Sequence, residues 1–240
     1  VGTKFEQYEN LFFSPEIDLS LEELKTTSDA SDNFKKQAGN YEDFYFNYGL
    51  DYDLRNSTYK PSSGSKTYFS QTLPIVSTNN EINNTFIFTK YQKLDRETDM
   101  IGKISLFMSA TNSIDNSDVR ISKRNKVPYT RLRGFEQGKV GPKDGNDYIG
   151  GNYVTTLNLS TNLPNILSTM ENLDFSYFID FANVWGVDYD SSVDQSNFVR
   201  SSTGVGMDWL TPIGPLSFSL TQPISKKSTD KTETFRFNLG

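Results

Sequence analysis

The chain has no cysteine and no histidine among its 240 residues. It therefore cannot form disulfides, use a thiol nucleophile or build a Ser-His-Asp or Cys-His catalytic centre. Metal sites built on histidine are excluded for the same reason. A continuous run of roughly 18 apolar residues is also missing, so the sequence predicts no transmembrane helix. Paired carboxylates for glycoside hydrolysis are not excluded by their spacing, but nothing specific in the sequence supports them.

Charge and hydropathy narrow the class of protein further. The net charge is -6, which argues against nucleic acid as a partner. Mean hydropathy is -0.57, a value that a soluble protein shares with a transmembrane barrel, because the strands of such a barrel alternate polar and apolar residues. Val1 is not an initiator methionine and Gly240 ends the chain abruptly, so we expect a fragment.

Polar and apolar residues alternate along most of the chain, as they do in β-strands. From Asp43 to Arg55 the even positions carry Phe, Tyr or Leu, while most odd positions are polar. In Leu173–Trp185 one face is apolar, and the other carries Asp174, Ser176 and Asp180. This period predicts ten strands, at 5–20, 40–55, 64–77, 81–95, 98–111, 150–161, 172–185, 198–211, 214–224 and 231–240.

The connections between these strands alternate between short turns and long polar links. The long links lie at 22–39, 112–149 and 186–197, and we interpret Glu22–Lys36 as a charged loop rather than a helix. This pattern is typical of an all-β, antiparallel transmembrane β-barrel. A soluble β-sandwich or lipocalin-like barrel also alternates. The predicted strands, however, have roughly ten to fifteen residues, whereas strands of globular proteins have about five or six.

The link at 112–149 is the most informative segment. Its second half is too long and too rich in glycine for a hairpin turn. Phe135, Val140, Tyr148 and Ile149 provide apolar anchors, so we expect a functional loop that folds back against the barrel. Asp144, Asn146 and Asp147 lack the spacing of a calcium-binding loop.

Several motifs resemble one family. They are Arg133-Gly-Phe135 followed by Lys139-Val-Gly-Pro142, then Gly150-Gly-Asn152, Phe178-Ile-Asp-Phe-Ala-Asn-Val-Trp185, the hairpin within Arg200–Pro223, and the turn Asp53–Gly64. In this order they resemble the barrel of the BamA/TamA family of outer-membrane protein assembly factors.

The resemblance implies a location and a function. It places the chain in the bacterial outer membrane, where residues 1–240 would form about the last ten strands of a barrel of about 16 strands. The whole protein would fold and insert client barrels through a lateral seam, with no enzyme activity, no cofactor and no metal. Its partners would be unfolded outer-membrane proteins, outer-membrane lipids and accessory lipoproteins that dock on POTRA domains outside this chain.

The resemblance also assigns roles to residues. In the family an arginine-glycine-aromatic motif lies on a loop inside the barrel, which implies that Arg133, Gly134, Phe135, Gly141 and Pro142 form the functional loop motif. Arg133 would pair with Asp180, which alternation directs inward. A second wall acid of the family is matched here by Asn158, so the uncharged amide weakens the network or shifts its anchor to Asp208. The terminal strand with Phe235, Phe237 and Gly240 would form one side of the seam.

Three alternatives remain open at this point. A TamA-like autotransporter assembly factor and a two-partner secretion transporter share the barrel, and the transporter also carries an arginine in a lumen loop. A passive porin or surface antigen would have no assembly activity.

Overall fold

The computed structural model describes residues 1–95, 97–164, 172–212 and 214–239. In chain order the strands are β1 (Phe5–Tyr8), β2 (Leu11–Leu24), β3 (Gly39–Asp53), β4 (Gly64–Ser77), β5 (Glu81–Lys93), β6 (Ile101–Ser113), β7 (Lys143–Asp144), β8 (Asp147–Tyr148), β9 (Tyr153–Asn162), β10 (Leu173–Trp185), β11 (Arg200–Thr211), β12 (Gly214–Ser225) and β13 (Phe235–Leu239). One helix, α1 (Asp32–Lys36), and three single 3-10 turns, at Ile121–Lys123, Tyr129–Arg131 and Ser191–Val193, complete the described elements. No helix in these ranges is long and apolar enough to cross a membrane.

The strands form one antiparallel sheet of eleven, in the order β1 to β6 and then β9 to β13. Each strand pairs with the next in the chain, except that β6 pairs with β9 across a long insertion. Residues 114–152, here called the lumen loop, fill that insertion and contain the β7–β8 hairpin. The loop contacts β3, β10 and β13, so the sheet must curve around it. The predicted antiparallel barrel with an inward-folded loop is confirmed as an open, partial barrel.

The two ends of the sheet differ from the prediction. A single strand at 5–20 is wrong, because Asn10 adopts a positive φ of 62° and turns the chain between β1 and β2. The strand predicted at 231–240 is also shorter, since residues before Phe235 hydrogen-bond to the lumen loop instead. Gly240 lies outside the described residues.

The charged link at 22–39 is likewise more ordered than predicted. Strand β2 continues to Leu24, and Ser31 caps the single helical turn α1 by accepting a hydrogen bond from the Phe34 N–H. Such a cap satisfies one of the free amides at a helix start.

Alternation divides the sheet into an apolar outer face and a polar inner face. Outer side chains such as Leu19, Leu21, Leu220, Phe237 and Leu239 are at least half exposed, as a lipid-facing belt requires. Inner positions carry small polar residues together with Asp43, Asp180 and Arg236, which are buried. The buried core therefore lies between the inner face and the lumen loop, and not between two sheets.

Candidate functional site

The lumen loop is held inside the barrel first by apolar contacts. Leu132, Phe135 and Val140 are buried against Ala182 of β10, with Val127 packed beside them. Phe135 is only 2% exposed. Burying a side chain of this size stabilises a fold by about 1.5–3 kcal/mol, so the cluster favours the inward position of a loop that would otherwise be solvated.

Arg133 and Asp180 form the polar centre of the site. The guanidinium Nε and Nη2 of Arg133 each donate a 2.8 Å hydrogen bond to Asp180, one to each carboxylate oxygen. The Arg133 backbone N–H donates a third, of 3.1 Å. The Asp180 side chain is fully buried, and the guanidinium carbon lies 3.3 Å from the centre of the Phe178 ring. The pair is thus bidentate, oriented and largely shielded from water.

Asn158 completes this network from β9. It lies opposite Asp180 in the β9–β10 ladder, and its Nδ2 donates to Asp180 Oδ1 at 2.8 Å and to the Arg131 carbonyl at 2.7 Å. The amide therefore joins the loop to the wall as a donor. Because residue 158 is an asparagine and not a second acid, Arg133 faces a single carboxylate, and the pair carries no excess negative charge.

The expectation that Asp208 substitutes as a wall anchor is wrong. Within the described part of the chain, Asp208 makes no ion pair with Arg133, and its carboxylate accepts from Ser217 Oγ instead. Asp208 does face inward, but it lies opposite Asp174, six residues along β10 from Asp180. The residue opposite Asp180 on β11 is Ser202, whose hydroxyl donates to the Arg133 carbonyl.

Two glycines of the loop motif occupy positions that a larger residue could not. Gly134 has a φ of 89°, and Gly141 has a φ of 103°. A Cβ on Gly141 would lie 2.3 Å from Val184 Cγ1 of β10. Pro142 follows, buried, and its carbonyl accepts the Ile149 N–H at 3.1 Å, which closes the base of the β7–β8 hairpin. The glycine-rich sequence therefore lets the loop run against the wall.

The family model of the Omp85 superfamily domain matches residues 2–240. This chain belongs to the Omp85 superfamily. The Omp85 chain is a bacterial outer-membrane β-barrel protein, and its resemblance to BamA-type barrels is confirmed.

Curated relatives share part of the sequence. The outer membrane protein assembly factor BamA of Neorickettsia risticii (strain Illinois) is 27% identical over 144 residues, covering 59% of this chain and 20% of the relative. BamA of Neisseria meningitidis serogroup B (strain ATCC BAA-335 / MC58) is 29% identical over 136 residues, covering 45% and 17%. The Omp85 chain thus spans about a fifth of the length of these relatives.

A solved structure supports the fold. The crystal structure of BamA from Haemophilus ducreyi lacking POTRA domains 1-3 matches with a TM-score of 0.87. The match covers 98% of this chain and 52% of that one, at 24% sequence identity. The open sheet of this chain therefore has the fold of part of that BamA structure.

Three further arginines anchor this Omp85 barrel at the rim where the long links lie. Arg120 of the lumen loop donates to Asp43 of β3 at 2.6 Å, and both side chains are fully buried. Arg124 pairs with Asp188 in the link between β10 and β11. Arg200 of β11 pairs with Asp230 in the link between β12 and β13, at 2.9 Å. The sequence motifs did not indicate these pairs, because each joins segments that are distant in the chain.

Asp188 is the group through which we expect the rim to respond to acid. Burial raises the pKa of its carboxyl, but the Val119 N–H and the charge of Arg124 outweigh this effect and hold the pKa below its ordinary value. A carboxyl with a lowered folded pKa stabilises the fold above its unfolded pKa and loses that contribution as the pH falls through the folded pKa. We expect amide hydrogen exchange at 119–124 to accelerate below about pH 4.

The variant Asp188→Asn tests this pH dependence. It keeps a side chain of the same shape but removes the titrating group, so exchange at 119–124, corrected for intrinsic rates, should vary less with pH. An unchanged pH profile in Asp188→Asn would assign the effect to another carboxyl.

A polar cavity of about 530 Å³ lies below the loop, on the side of the short turns. Lys60, Lys103, Arg131, Asp174 and Asp208 are among its lining residues, and Lys60 and Asp174 form a 2.6 Å ion pair across it. Among the described residues, no group of three or more Asp and Glu side chains is arranged to hold a metal ion. We interpret this cavity as the remaining lumen.

Proposed function

We propose that this Omp85 chain is the C-terminal barrel part of an outer-membrane protein assembly factor. Its whole protein folds and inserts client β-barrels, and it does so without covalent chemistry. Two curated relatives are named outer membrane protein assembly factor BamA. The observation that carries the proposal is a lumen loop attached to the wall by the buried Arg133–Asp180 pair, next to a strand, β13, that lies at the edge of the described sheet.

The terminal strand supplies the physical reason for a seam. Strand β13 pairs with β12 on one side, from Phe235 opposite Leu220 to Leu239, the last described residue, opposite Leu216. On its other side it has no strand partner in the described part of the chain. A strand edge with free N–H and C=O groups is a template for an incoming strand. A client strand would add there, with Phe235 and Phe237 facing lipid.

Lipids and other proteins are the partners that this mechanism needs. The apolar outer face contacts lipid, and a local mismatch between this face and the bilayer lowers the barrier to insertion of a client. Unfolded outer-membrane proteins are the substrates. Accessory lipoproteins would bind through POTRA domains, which lie outside this chain.

The lumen loop inside the sheet argues against a passive porin. Porins of 16 to 18 strands keep an open aqueous channel. Here Leu132, Phe135 and the Arg133–Asp180 pair occupy the space inside the curved sheet. The two BamA relatives favour an assembly factor over a TamA-like protein or a two-partner secretion transporter.

Deletion of residues 132–151 from the full-length protein tests the function. We expect client folding into liposomes, followed by the gel mobility of unboiled samples, to slow by on the order of tenfold or more, because the lumen loop no longer braces β10 and β13. The matched control is deletion of Ser191–Val193, a short turn on the same rim that leaves the lumen loop intact. Unchanged client folding together with a larger ion conductance would identify a porin instead.

A further inference from the structure

The lumen loop pairs with the segment that leads into the terminal strand. The Glu136 N–H donates to the Lys231 carbonyl at 3.0 Å, and the Glu233 N–H donates to the Gly134 carbonyl at 3.1 Å. Between them Phe135 lies opposite Thr232 in an antiparallel bridge. The motif that pairs with β10 through Arg133 is therefore also attached to the chain just before β13.

Arg236 extends this attachment into β13 itself. It lies between Phe235 and Phe237, which face outward and are about half exposed, whereas its own side chain faces the lumen and is 6% exposed. Its guanidinium donates to the backbone carbonyls of Tyr129 and Phe135 and to the carboxylate of Glu233. The guanidinium carbon also lies 4.0 Å from the centre of the Tyr129 ring.

The two arginines bind between loop and wall from opposite sides. Arg133 reaches from the loop to an acid on the wall, while Arg236 reaches from the wall back to carbonyls on either side of Arg133. The loop is consequently held between β10 and β13. Strand β13 cannot move away from the lumen without breaking hydrogen bonds from a charged donor, which are stronger than those between neutral groups.

We propose that Arg236 is a positioning residue that couples the lumen loop to the terminal strand and thereby sets how readily that strand is released. The consequence for client insertion rests on the proposed function, but the coupling between loop and strand does not. The arginine guanidinium suits this role, because it is planar and its several N–H donors can bind two carbonyls and a carboxylate at once. The ammonium of a lysine is a single compact charge and cannot hold all three in one orientation.

Hydrogen exchange in the full-length protein tests the coupling. Amide exchange of residues 235–239 is measured for the wild type and for Arg236→Gln, with gel mobility of unboiled samples showing that the barrel is folded. We expect exchange to be about tenfold faster in Arg236→Gln, because hydrogen bonds from a charged donor are lost. Arg236→Lys should fall between the two.

The matched control is Arg55→Gln. Arg55 also forms a bidentate pair, with Asp53, but it lies at the turn after β3 and away from β13. Its removal should leave exchange at 235–239 unchanged. Equal exchange in Arg236→Gln and wild type would overturn the coupling. If Arg236→Gln does not fold, amide exchange at 235–239 is compared between Arg236→Lys and the wild type. Equal exchange in those two proteins would also overturn the coupling.

A client-folding assay on the same variants separates this inference from the proposed function. Faster exchange with an altered folding rate of the client supports both. Faster exchange with unaltered client folding supports the coupling and removes the terminal strand from the assembly mechanism. Unaltered exchange overturns the coupling whatever the client does.

Discussion

Replacing Arg133 with alanine will release the lumen loop from β10 and remove most of the client-folding activity of the full-length protein. The change leaves the Asp180 carboxylate, which is fully buried, without its cation. Breaking one side of a buried ion pair costs about 3–5 kcal/mol. We expect about 3 kcal/mol here, because the Asn158 amide still donates to Asp180. The temperature at which unboiled samples lose their folded gel mobility should fall accordingly.

The neighbouring Arg131 offers a matched control for this prediction. Its guanidinium donates to Ser105 Oγ and lies near the Phe107 ring, and the described contacts include no carboxylate for it. Arg131→Met should therefore cost about 1 kcal/mol, the usual contribution of one hydrogen bond. Arg133→Lys keeps the charge but loses the fork, so we expect an intermediate effect.

Two outcomes would contradict a role of Arg133 in client assembly. If Arg133→Ala retains both wild-type client folding and wild-type gel mobility on heating, the loop does not depend on the pair. If only stability falls while client folding per folded molecule is unchanged, the pair has a structural role and does not act in assembly.

The sheet could be predicted because its signal is local. Alternation in Asp43–Arg55 or Leu173–Trp185 depends only on residues two apart in one strand. The hairpin of β1 and β2 lacked such a signal, since Glu9 and Asn10 turn the chain without glycine or proline. The open edges depend on where pairing stops, which alternation within a strand does not determine.

Only part of the candidate site could be predicted from the sequence, for a related reason. Alternation correctly directed Asp180 inward, but it does not show how far along the barrel axis an inward residue such as Asp208 lies from Asp180. The register between β10 and β11 places Ser202 opposite Asp180 and moves Asp208 towards the other end. Arg236 could have been noticed, because an arginine between two lipid-facing phenylalanines must face inward. Arg120 could not, since its acid partner is 77 residues away.

Replacing Arg120 with methionine will destabilise the rim at least as much as Arg133→Ala destabilises the lumen. The Arg120 side chain is fully buried, and its guanidinium lies 2.6 Å from Asp43 and 3.8 Å from Glu81. Both acids are at most 3% exposed. Removing the cation leaves two buried carboxylates facing each other, at a cost of about 3–5 kcal/mol in the free energy of unfolding.

A triple variant that removes both buried acids is the informative comparison for Arg120. In Arg120→Met with Asp43→Asn and Glu81→Gln the only carboxylate left from the cluster is Glu22, which is 26% exposed. Replacing both sides of a buried ion pair costs less than removing one partner, which leaves an uncompensated buried charge. The triple variant should therefore recover most of the heat stability that Arg120→Met loses. Its client folding per folded molecule should match the wild type, because β3 and β5 are far from β13 in the sheet order. Heat stability of Arg120→Met equal to that of the wild type would show that the buried cluster does not anchor the loop.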